Sequence, residues 1–104
     1  MVILVITRLF FMKHVFTLEK TFLSSRTEAT ALREKIEKHI KGKYCSITIN
    51  GSNTVGLSES YADEVFGKLA KKLGKKRFFE VFSFVGFSEL DLGVIATALQ
   101  KRLR

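Results

Sequence analysis

Apolar positions in this chain follow two rhythms that alternate along its length. Residues 2–11 and 13–18 are dense in β-branched and aromatic side chains and predict one long strand or two short ones. After a connection from Lys20 to Ser25, the spacing widens to three and four: Ala29, Leu32, Ile36 and Ile40 fall on one helical face. Ser25 and Glu28 form a capping-box pair that opens this helix, and Gly42 stops it. Glu34–Lys38 and Glu37–Lys41 support its other face as i,i+4 pairs. From Tyr44 to Asn50 the rhythm returns to two, with Cys45, Ile47 and Ile49 on one side and Ser46, Thr48 and Asn50 on the other. That alternation predicts a strand with one sheltered face.

Gly51 to Leu57 is a loop of turn-forming residues, and the next helix organises the rest. Ser60 stands as its N-cap with Asp63 completing a second capping box. Tyr61, Val65 and Leu69, with Ala62, Phe66 and Leu73, make the apolar stripe, and Lys68, Lys71 and Lys72 suit the negative end of the helix dipole. Gly74 closes it. A basic turn, Lys75 to Arg77, leads into an apolar run that predicts a strand at least from Phe78 to Phe82. Ser88 and Asp91 then cap a last helix bearing Leu92, Ile95, Leu99 and Leu103. Strands alternating with single helices predict an α/β domain. The expected form is a small mixed sheet with three main helices largely on one face, because the half-polar Tyr44–Asn50 strand is covered on one side only.

Composition adds limits. The 104 residues suit one domain spanning 1–104, with no linker, repeat or low-complexity run. Residues 1–11 read as an N-terminal extension or an extra edge strand, since Met12-Lys13 resembles an alternative start. They are too few to span a bilayer, Arg8 interrupts them, and no signal-peptide pattern follows. The single Cys45 excludes an internal disulfide and reads as a small buried hydrophobe, which fits a cytoplasmic setting. The net charge of +8 favours acidic partners, nucleic acid included, yet the basic residues gather at helix ends without interleaved aromatics.

Catalytic chemistry finds little support. Asp63 and Glu64 are adjacent on a helix and diverge by roughly 100°, Ser60 has no histidine within motif reach, and the loop Gly51–Gly56 lacks the Lys-Ser/Thr of a phosphate-binding loop. His14 and His39 are far apart and lack ligand spacing, so neither a metal nor a cofactor is expected.

The chain resembles the STAS-like domains of unassigned function, bacterial and phage relatives of the STAS fold of anti-sigma-factor antagonists and sulfate-transporter tails. The resemblance rests on Ile47–Asn50, the loop Gly51–Leu57, and the run Ser60, Tyr61, Asp63, Glu64, Phe66, Gly67. Ser24 to Ile36 is similar to the family's first helix, and the likeness covers roughly residues 13–100. It implies a non-enzymatic regulatory module that binds a protein partner, a histidine-kinase-like ATPase or a sensor domain. In the antagonists a serine at the start of the corresponding helix is phosphorylated. Laid on this chain, the family's local pattern puts Ser58 at the aspartate position, Glu59 and Ser60 at the two serines and Tyr61 at the glycine, so Ser60, with Ser58 beside it, is the implied phosphoacceptor. The partner-binding residues implied are Gly56, Leu57, Glu59, Tyr61, Asp63 and Glu64. Two readings of Ser60 stand together, a structural cap and a phosphoacceptor. The alternative function is a basic nucleic-acid-binding accessory domain, and the aromatic-rich N-terminal strand is a candidate oligomer contact.

Overall fold

The computed structural model describes residues 12–40 and 45–104. The expectations placed on residues 1–11 and on Gly42 therefore lie outside the described residues. The α/β class holds. Strand β1 (Met12–Thr17), β3 (Cys45–Asn50) and β5 (Phe82–Val85) form a sheet in the order β1-β3-β5, and β2 (Phe22–Leu23) pairs with β4 (Gly56–Leu57) beside it. Every pairing among the described strands is parallel. Parallel neighbours need crossovers, and the helices supply them: α1 (Arg26–Glu37) joins β2 to β3, and α2 (residues 59–73) with α3 (Lys75–Val81) joins β4 to β5. Helix α4 (Glu89–Arg102) follows β5.

Register explains the one-sided core. His14, Ile47 and Phe82 align across the sheet, as do Phe16, Ile49 and Phe84. Ile47 and Ile49 are wholly buried under the helices, and Phe66 of α2 meets Phe84 edge-on at 5.1 Å while Phe78 of α3 stacks on Phe82 at 4.6 Å. The opposite face carries Val15, Thr48, Ser83 and Val85, and Val15 is 66% exposed. Cys45 is buried, as its place in the alternation requires.

Helix α3 takes Phe78 to Val81 out of the strand expected from Phe78 to Phe82, and only Phe82 keeps the strand conformation. Gly74 turns the chain with φ of 87°, a conformation glycine adopts without a Cβ penalty. Its carbonyl accepts from the Phe78 N–H at 2.9 Å, so a new helix starts at once. Phe78 and Val81 are buried while Phe79 and Glu80 face solvent, a spacing of three that is helical. Strand alternation resumes only at Phe82.

Helix α2 has α-helical ends, Glu59–Ala62 and Lys68–Leu73, around a π-helical turn at Asp63–Gly67. The Lys68 N–H reaches back five residues to the Asp63 carbonyl. That wider turn packs Val65 and Phe66 into the core while its two acids serve different neighbours, Asp63 facing α4 and Glu64 facing α1. No helix among the described residues is long and apolar enough to cross a membrane.

Candidate functional site: the start of helix α2

The chain enters α2 directly from β4. Leu57 is buried and pairs with Leu23, and the Ser58 N–H donates to the Leu23 carbonyl at 2.8 Å. Ser58 is the first residue released from the strand, and its hydroxyl accepts from the Tyr61 N–H at 3.1 Å. Ser58 is therefore the N-cap, which corrects the assignment of that role to Ser60. The strand end fixes where the helix begins, and it overrides the better capping-box match two residues later. The other two caps hold: Ser25 accepts from the Glu28 N–H and Ser88 from the Asp91 N–H.

Freed from capping, Ser60 is exposed in the first turn, and its hydroxyl lies 3.1 Å from that of Ser58. The two hydroxyls predicted as candidate acceptors thus form one pair with different duties. Ser58→Ala should lower stability by about 1 kcal/mol through the lost cap, and Ser60→Ala should leave it nearly unchanged. Urea unfolding of the two variants measures the difference.

The six residues expected to bind a partner separate by depth. Gly56, Leu57, Tyr61 and Glu64 are buried, while Glu59 and Asp63 reach the surface. Tyr61, 4% exposed, lines a cleft between β1 and α1 with Phe16, Leu18, Leu32 and Glu28. Burial, with the carboxylates of Glu28 and Glu19, pushes its phenol up to about 12. Glu59 pairs with Lys101 of α4. Asp63 takes both Nε and a terminal nitrogen of Arg102 at 2.7 Å each, a bidentate pair. That pair, helped by Lys68 and opposed by burial, holds the Asp63 carboxyl below its ordinary range. Gly67 leaves room for it, since a Cβ there would lie 2.5 Å from Asp63 Oδ1.

Glu64 is the anchor beneath this surface. It is 3% exposed and accepts from Lys68 at 2.9 Å, Thr30 at 3.0 Å and Arg33 at 3.2 Å. The Lys68 hydrogen bond outweighs burial and, with Thr30 and Arg33, holds the carboxyl down at about 2. Arg33 also reaches Glu37, which Lys72 joins from α2. Both acids thus fasten α2 to its neighbours, and neither shares a reacting atom with the other.

A groove of about 600 Å³ opens beside Ser60, lined by Glu59, Asp63, Lys71, Ala98, Lys101 and Arg102. Three of these are cations contributed by positions 71, 101 and 102, and sequence spacing could not place the last two beside Ser60. The only prior signal was the basic cluster at the end of the last helix. The histidines, distant in sequence, also meet: their ring centroids lie 4.3 Å apart, and His39 packs edge-on against Phe16. Among the described residues no group of three or more His, Cys, Asp or Glu side chains is placed to hold a metal ion. Compared with protein-family models, curated proteins and solved structures, the chain matches none.

Proposed function

We propose that this chain is a non-enzymatic protein-interaction module of STAS-like type that docks a protein partner through the start of α2 and is switched by phosphorylation of Ser60. The observation that carries the reading is the division of labour between two adjacent hydroxyls. Ser58 holds the helix, and Ser60, which has no capping duty, presents its oxygen to solvent.

The chemistry of the surroundings supports a switch. A phosphate adds about −1.5 to −2 charges at neutral pH and seeks cations and backbone donors. Across the groove stand Lys71 and Lys101, the latter engaged with Glu59 in the unmodified protein. A phosphate on Ser60 would compete with Glu59 for Lys101 and rearrange the outward charges at the docking edge. An acidic partner surface would then be repelled. Gly56, Leu57 and Tyr61 support this edge from within, setting its height and direction, while Ser60, Glu59 and Asp63 meet the partner.

Incubation with a histidine-kinase-like ATPase and ATP tests the switch. Intact mass should show one added phosphate on the wild type and on Ser58→Ala, and none on Ser60→Ala. An unmodified wild-type mass, or a phosphate retained by Ser60→Ala, contradicts the reading.

A further inference from the structure

A second groove lies on the other side of α4, away from Ser60. Its apolar floor is Phe79 of α3 with Ala96, Leu99 and Leu103, and Lys75, Gln100 and Arg104 form its rim. It encloses about 600 Å³. Phe79 is 53% exposed, and its ring lies edge-on to the buried Phe78 at 5.4 Å, so a large aromatic surface faces water. Nothing in the fold requires an aromatic at that position, because Phe78 and Val81 already bury the inward face of α3.

The cations at this rim lack acidic partners of their own, as Lys35 and Lys71 also do among the described residues. Lys68, Lys72, Lys101 and Arg102 each have an acid within salt-bridge distance. Lys75, Lys76 and Arg104 have none among the described residues, and the nearest acid of α3, Glu80, is itself unpaired and sits beside Phe79 and the two lysines. Two cations far apart in sequence, Lys75 and Arg104, thus meet at the rim of an apolar trough, and Lys76 stands beside Phe79 at its edge. We propose that this groove is a docking site for an acidic amphipathic helix of a protein partner. Its apolar side chains would pack on Phe79, Leu99 and Leu103, and its carboxylates would meet Lys75, Lys76 and Arg104. An amphipathic helix in a groove between two helices is a recurrent recognition mode. An aromatic anchor ringed by polar groups is the usual form of a binding hot spot. A protein ligand fits better than single-stranded nucleic acid, which stacks successive bases on successive aromatics, whereas here one ring lies among aliphatic side chains.

The test uses three probes against the full chain at low salt: a helical peptide with leucine at i, i+3, i+4 and i+7 and glutamate elsewhere, a single-stranded oligo-dT, and phosphatidylserine vesicles. The glutamate peptide should shift the amide resonances of Phe79, Leu99, Gln100 and Leu103. Its affinity should fall about thirtyfold in Phe79→Ala, the loss expected of a hot-spot residue. It should also weaken in Lys75→Glu and in added salt. Phe79 and Lys75 are both exposed, so the two variants fold, and unchanged dispersion of the remaining resonances checks it. Absence of shifts with the glutamate peptide, shifts centred elsewhere, or affinity unchanged in Phe79→Ala overturns the proposal. Tighter binding of oligo-dT or of the vesicles overturns it in favour of nucleic acid or lipid.

Discussion

Phe78→Ala is expected to lose about 4 kcal/mol of folding stability. Phe78 is wholly buried, stacks on Phe82 at 4.6 Å and lies 6.2 Å from Phe84, so it joins α3 to the last strand of the sheet. Truncation removes the ring's transfer free energy and leaves a cavity between two elements that cannot collapse independently. Against a total of roughly 5–15 kcal/mol for a domain, the melting temperature should fall by about 15–30 °C. The neighbouring Phe79→Ala should change stability by less than about 0.5 kcal/mol, since that ring is half in water. Val81→Ala against Glu80→Ala extends the comparison. A helix buries Phe78 and Val81, whereas a strand would place Phe78 and Glu80 on one face. Loss on truncating Val81 but not Glu80, followed by thermal denaturation, therefore confirms α3.

Glu64→Gln is expected to lower stability by about 2–3 kcal/mol at neutral pH. The loss stays below that of a fully enclosed ion pair because Lys68 and Arg33 can partly turn to water. The sign of the pH dependence follows from the direction of the shift. The folded carboxyl is held at about 2, below its ordinary value of 4.5, so the unfolded chain binds more protons in acid. The stabilisation is complete above the ordinary value and is lost as pH falls from there toward about 2. Asp63, held down by Arg102, adds loss of the same sign. So does Glu37, where the hydrogen bonds of Lys72 and Arg33 prevail over burial. Urea midpoints between pH 5 and 2 should fall steeply in the wild type and less steeply in Glu64→Gln. Equal slopes would show that Glu64 is not the dominant acid-sensitive link between α1 and α2.

Much of this architecture was legible because local signals agreed with tertiary demands. Cys45, Ile47 and Ile49 alternate with half-polar residues, and they are the buried face of the central strand. Ser25 and Ser88 cap the helices that their capping boxes announce. Sequence and structure part where two local signals compete. In Ser58-Glu59-Ser60 the acid three residues on favours Ser60, but the pairing of Leu57 with Leu23 ends the strand one residue before Ser58. In the run from Phe78 to Phe82, β-propensity of the aromatics obscured the spacing of Phe78 and Val81. The place of Lys101 and Arg102 beside Ser60 was not legible, because both arrive from a helix some forty residues away, and only the packing of α4 on α2 brings them there.

The most direct test of the central claim is site-specific photo-crosslinking in cells, with the photoreactive residue placed in turn at Ser60, at Glu59 and at Val15, which is exposed on the uncovered face of the sheet. The first two positions should capture the same ATPase-domain protein, Val15 should not, and the phosphorylated chain should lose the capture at Glu59. Equal capture from all three positions, or none from the start of α2, would contradict the claim.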